Sequence, residues 1–303
     1  MPAGHDTFHH VRDYRYFELP QGIHLDLPML GPIELTRFML LQVVAGLLTL
    51  WIFSGLAKRI RSGEPARGRW WNFWETLALY IRDNVVRPTI GEGHQGHGEH
   101  GHGHDDHGHH GQAHAHAPVA AGHPADKYLP YVWTCFFYVL WCNLLGAFPW
   151  VGSPTGEINV TGALALTSLG ATIFYGSKEL GAETFWKALA PSMEAEGMMK
   201  LILVPIGWMI WVIEFIGLFI KHGVLAIRLF ANIMAGHTVV AAILGFIALE
   251  GVWNTGLFYL VMPASIFGQL AIGLMELCVA FLQAYIFAFL STLFIGMAVN
   301  PQH

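Results

Sequence analysis

Residues 226–237, AIRLFANIMAGH, lie inside a long apolar stretch and hold the last Lys or Arg of the chain. Arg228 is followed by 75 residues with no further Lys or Arg. A charged side chain at mid-bilayer costs at least ~2.5 kcal/mol on insertion scales, so one retained there faces a cavity or a partner. The stretch around it, 222–249, is joined by EGVWNTG (250–256) to a second apolar stretch at 257–299. The Asn-Thr-Gly turn predicts a helical hairpin. Its second arm exceeds the roughly 20 residues of a perpendicular crossing. That arm is therefore either strongly tilted or broken at Pro263.

Polar side chains in the two arms are few: Arg228, Asn232, His237, Thr238, Glu276, Gln283, Ser291 and Thr292. Folding the hairpin about position 256 sets Arg228 opposite Gln283 and His237 opposite Glu276. Two polar pairs on one fold axis point to cross-helix partners. At about 100° per residue, Arg228, Ala231, Asn232, Ala235, Val239 and Ala242 share one helix face. Glu276, Ala280, Gln283, Ala284 and Ala288 share a face on the other arm. Small residues beside a polar group let a second backbone come close, so each strip suits a partner that slides past. His237 points nearly opposite to Arg228. A guanidinium keeps its proton at any accessible pH and acts only as a fixed charge. His237 and Glu276 can titrate. A titratable pair beside a permanent cation is what a proton path with an electrostatic stop requires. The plainer alternative is a static ion pair or packing contacts between helices.

The composition of the 303-residue chain agrees with a lipid setting. It is 54% hydrophobic and 12% charged, about half the charge density of a soluble domain. The expected fold class is an all-α polytopic membrane protein of about five to six membrane helices, ending in the long, strongly tilted hairpin. Residues 1–35 form a polar, Pro-punctuated arm without the apolar core of a signal peptide. The segment 36–90 holds the first span, FMLLQVVAGLLTLWIFSGLA (38–57), and an amphipathic helix beginning NFWETLALYI, on the membrane surface or packed against the bundle. Lys58, Arg59, Arg61, Arg67 and Arg69 follow the first span, which marks that side as cytoplasmic and the N-terminus as external. Residues 127–220 supply three more spans, at 128–150, 160–176 and 201–220, the last apolar except for Glu214. Residues 221–303 are the hairpin. The cysteines Cys135, Cys142 and Cys278 lie in apolar segments and read as small hydrophobic fillers.

Between these parts lies 91–126, with eleven of the eighteen histidines mixed with Gly, Ala and Asp. Such a composition builds no core and predicts disorder. A weak Zn²⁺ or Ni²⁺ site at 94–123 is conceivable chemistry, and the solvated cytoplasmic insert is the preferred reading.

The motif RLFANIMAGH (228–237) resembles the most diagnostic motif of subunit a of the F-type ATP synthase. LQAYIFAFLSTLFIGMAV (282–299), NLLGAFP (143–149) and PTGEINVTGALAL (154–166) resemble its C-terminal, second-helix and loop motifs. The resemblance covers nearly everything from about 70 onward except the insert. It implies a proton-conducting stator subunit facing a ring of c subunits, each with a membrane carboxylate. Two offset half-channels would reach that ring. His237 and Glu276 would relay protons from the outside, and Asn232 and Gln283 would lie near the ring contact. Glu214 would line the exit side, and Arg228 would separate the channels and displace each proton. His on the arginine helix with Glu on the last helix resembles the mitochondrial-type arrangement.

The resemblance further implies the peripheral stalk b subunits and the remaining ATP synthase subunits as partners, in a bacterial inner membrane with the C-terminus cytoplasmic. No cofactor, nucleic acid or catalysis by this chain alone is expected, and no GxxxxGK[ST] motif is present. The competing reading is a zinc or nickel transporter with a His-rich cytoplasmic loop. It lacks His/Asp pairs one turn apart within the spans, where His237 is read as the only histidine.

Overall fold

The computed structural model describes residues 16–19, 23–26, 29–30, 33–34, 36–60, 68–91, 123–147, 152–189, 199–248, 256 and 258–300. Two short antiparallel hairpins come first, β1 (Tyr16–Leu19) with β2 (Ile23–Asp26) and β3 (Met29–Leu30) with β4 (Ile33–Glu34). All else is helical: α1 (Arg37–Ile60), α2 (Arg69–Ile81), a π-turn (Arg82–Val86), α3 (Arg87–Gly91), α4 (Leu129–Gly146), α5 (Ile158–Leu180), α6 (Ala182–Ala188), α7 (Met199–Ala248) and α8 (Phe258–Val299). Short 3-10 turns at Pro124–Tyr128 and Pro154–Gly156 precede α4 and α5. Among the described residues five helices are long and apolar enough to cross a membrane, within α1, the 3-10 turn and α4, α5, α7 and α8. The chain is thus a polytopic helical membrane protein. Most of the His-rich insert, 92–122, lies outside the described residues.

Local chemistry sets the helix ends. Thr36 accepts a hydrogen bond from the Met39 amide at the start of α1, a side-chain cap. Lys58 and Arg59 occupy its last turn, where cations complement the helix dipole. Gly181, at φ +86°, closes α5 in a backbone state that favours glycine.

The bundle is held by α4 against α8 and α1, and by α5 against α7 and α8. Inside lipid, helices gain little from hydrophobicity, so close packing and hydrogen bonds decide which faces meet. The amphipathic segment is packed into the bundle rather than laid on a surface. Trp74, Ala78, Ile81, Val85 and Val86 form its buried stripe. The π-turn adds a residue that brings both Val85 and Val86 onto that stripe. Trp133 of α4 donates its indole N–H to the Ala78 carbonyl at 2.9 Å. Gly296 of α8 leaves room for the Thr89 carbonyl, which a β-carbon there would meet at 3.1 Å.

Two expectations are corrected, and the alternative left open at Pro263 is decided. The span at 201–220 and the stretch from 222 onward form one 50-residue helix, α7. Lys221 and His222 look like a boundary in sequence, yet Lys221 pairs with Glu214 along the same helix, His222 is buried against α5, and the helix runs through. Pro263 does not break α8. It lies in the second turn, where only one backbone hydrogen bond is forfeited. The small-residue strip on α8 is not an open face: Ala280, Gln283, Ala284 and Ala288 are buried. The small side chains that suited a sliding partner instead lie inside the bundle, where α8 packs against α4, α5 and α7 of the same chain.

The insert is bracketed by a staple. Arg87, before it, pairs with Asp126, after it, through Nη2 at 3.0 Å and Nε at 3.1 Å. That hydrogen bond pushes the Arg87 guanidinium above its ordinary value. Lys127 beside it reaches Glu179 at the end of α5 at 2.6 Å. Since the staple fixes both ends, deleting 94–122 is expected to leave ATP-driven proton pumping within about twofold of the parent. His123 must be spared, because its Nδ1 accepts from the Ala125 amide and caps the 3-10 turn. Vesicle acidification checks this, and a loss seen only under metal limitation would revive the metal reading.

Candidate functional site

The terminal hairpin folds as its spacing predicts. Glu276 of α8 packs directly over Gly236 of α7, where any β-carbon would collide with the carboxyl group. Farther along, a β-carbon on Gly268 would touch the Ile243 side chain at 3.5 Å. The two contacts have midpoints at 256 and 255.5, on the fold axis read from the sequence. Glu276 therefore sits against the residue before His237, one position from the expected pairing. A glycine supplies the seat, since any other residue there would push the carboxyl away.

Arg228 lies half-buried on α7, between Leu225 and Ala226 on one side and Leu229 on the other, all three buried. Arg228 is in none of the ion pairs that engage Arg82, Arg87, Lys127, Lys187 and Lys221. Its face is open: Ala231, Ala235, Val239 and Ala242 are exposed, with Asn232 half-buried among them. This strip, unlike that on α8, is uncovered by the chain itself. Gln283 is 5% exposed and points into the bundle.

The ionisable groups fall on both sides of the arginine. At ~1.5 Å per residue, the Gly236–Glu276 contact lies about 12 Å along α7 in one direction. Glu214 lies about 21 Å in the other, four turns away on nearly the same face. Its carboxylate pairs with Lys221 at 2.9 Å, and both side chains are solvent- or lipid-facing in this chain.

One buried group escapes the sequence reading. His222 is only 2% exposed. Its Nε2 lies 3.2 Å from the Thr172 hydroxyl of α5, its Nδ1 lies 2.8 Å from the Leu218 carbonyl, and its ring packs tilted against Phe294 of α8 with centroids 4.8 Å apart. His237 is therefore not the only histidine within the spans. One turn along α5, Ser168 meets Ser291 of α8 at 2.9 Å between hydroxyl oxygens. The Lys-His dipeptide inside an otherwise apolar run was the available signal.

Among the described residues no three His, Cys, Asp or Glu side chains gather to hold a metal. What the fold presents is a membrane protein of ion-transport type, with a fixed cation between two separated sets of ionisable residues. The ATP synthase A chain family matches residues 114–296. Among relatives, ATP synthase subunit a of Chloroherpeton thalassium is 34% identical across 98% of this chain and 78% of its own length. Subunit a of Pelodictyon phaeoclathratiforme is 33% identical across 98% and 76%, and that of Myxococcus xanthus 33% across 89% and 75%. The chain belongs to the ATP synthase subunit a family.

Proposed function

We propose that this chain is the proton-conducting stator subunit of an F-type ATP synthase, with ATP chemistry carried by other subunits. Its open α7 face meets a ring of c subunits. His237 and Glu276 load protons from the outside, Glu214 lies on the exit side toward the cytoplasm, and Asn232 adjoins the ring contact. Arg228 separates the two half-channels and expels the proton from each arriving carboxylate. The peripheral stalk b subunits and the rest of the complex hold it in a bacterial inner membrane. The N-terminal arm, 1–35, is external, and the C-terminus is cytoplasmic.

One observation carries this reading. Arg228 stands on a smooth, uncovered face with no ion pair among the described residues, a placement that costs free energy unless something outside the chain uses the charge. Each proton driven across then contributes about 2.3 kcal/mol per 100 mV to rotation.

Cross-linking tests it. In the intact complex, Ala231→Cys, Ala235→Cys and Val239→Cys are each expected to cross-link to a cysteine placed beside the c-subunit carboxylate. Lys178→Cys, at the distant end of α5, is expected to give none. Absence of cross-links along the α7 face, with the complex assembled, would remove the proposed interface.

A further inference from the structure

We infer that His222 is a positioning residue for the arginine helix, and that its contact with Thr172 has two complete hydrogen-bonding arrangements, one for each protonation state of the imidazole. The inference rests on the proposed proton function, because its readout is proton transport.

The geometry defines the two arrangements. Nδ1 faces a carbonyl oxygen, Leu218 O at 2.8 Å, and so carries a proton in both. Thr172 has one hydroxyl proton and two acceptors within reach: the Ser168 carbonyl at 3.0 Å and His222 Nε2 at 3.2 Å. If the hydroxyl donates to Nε2, the imidazole is neutral. If it donates to the Ser168 carbonyl, Nε2 must itself donate to the Thr172 oxygen, and the ring is an imidazolium. Uptake of one proton at Nε2 from the proton path, with rotation of the Thr172 hydroxyl, converts the first into the second, and no buried N–H is orphaned in either. Leaving such a donor unpaired costs about 1–3 kcal/mol, which is what this arrangement avoids.

His222 is placed to act on Arg228. It lies six residues earlier on α7, about 9 Å along the axis and 120° around it. Its bond to Thr172 fixes α7 against α5, and its ring against Phe294 fixes α7 against α8. A proton on the imidazole adds a second cation on the cytoplasmic side of Arg228 and pins the helix through Nε2–H. Among the described residues, Lys221 is the neighbouring charge that acts on the ring. α8 carries none between 286 and 299, and Tyr175 of α5 rests against Tyr128 and Tyr131 instead. Lys178 lies near Phe174, Glu179 is held by Lys127, and Lys221 is held by Glu214.

The test uses the whole complex in proteoliposomes, with ATP-driven acidification followed between about pH 5 and pH 8, where imidazole titrates. His222→Gln keeps a partner for Thr172 but cannot titrate, and it is expected to flatten the pH profile while holding peak pumping within about threefold. Thr172→Val removes the hydroxyl at equal size. It is expected to move the profile to lower pH by about one unit, the tenfold loss of proton affinity that a missing charge-assisted hydrogen bond gives. Thr172→Ser restores the parent profile. Unchanged profiles in both His222→Gln and Thr172→Val, or losses equal at every pH, would overturn the inference. Where His222→Gln fails to assemble, the two Thr172 variants decide. Arg228→Ala is run alongside: if it pumps, the stator reading fails, and if it does not while the profiles stay unchanged, only the His222 inference fails.

Discussion

Arg228→Ala is expected to reduce ATP-driven acidification of vesicles to background while leaving the complex assembled. Assembly survives because nothing described in this chain depends on the side chain: it is half-buried and in none of the described ion pairs. Its removal orphans no carboxylate, unlike the loss of one partner from a buried pair. On the proposed role, pumping fails because an arriving carboxylate no longer meets the fixed positive charge that would make it release its proton. Arg228→Lys is expected to fail as well. The ammonium keeps the charge but lacks the planar fork that meets a carboxylate with two parallel hydrogen bonds. Retained acidification in the Ala variant would sink the assigned role, and full activity in the Lys variant would reduce it to charge alone.

Glu276→Gln is expected to slow proton transport by about tenfold, less than the 10²–10⁴-fold typical of one positioned acid or base in a chemical step, without abolishing it. The structure adds a second route to the same defect. Because the carboxyl of Glu276 rests on Gly236, Gly236→Ala must displace it. The displaced atoms are the far end of a flexible side chain, so the helices need not separate, and the complex should assemble. Gly236→Ala is then expected to slow transport to a similar degree. Combined with Glu276→Gln it should add little, since both act through one carboxylate. Passive proton conduction through the membrane sector, measured for the two single variants and the double, checks this. Strictly additive losses would show that Gly236 acts through helix packing and not through Glu276.

Much of the hairpin was legible because its signal is one-dimensional. Chain length and apolar composition announce spans wherever water cannot satisfy backbone groups. The antiparallel fold about position 256 follows from turn chemistry and residue spacing. The single Arg228 stands out because ionised groups are rare in such surroundings. The continuity of α7 was not legible, because Lys221 and His222 mimic a loop unless their partners Glu214 and Thr172 are known. Those partners lie 7 and 50 residues away in sequence.

The two small-residue strips make the same division. Periodicity alone placed Arg228 with Ala231, Ala235, Val239 and Ala242 on one face, and Gln283 with Ala280, Ala284 and Ala288 on another. Only the packed bundle decided that the first face is open and the second is buried within the chain. Sequence thus determined which residues are small, apolar or ionisable, and which share a side of a helix, since those follow from side-chain chemistry and a 3.6-residue turn. Which side meets a neighbour was settled by tertiary structure, because small residues admit a close backbone equally well from within the chain or from outside it.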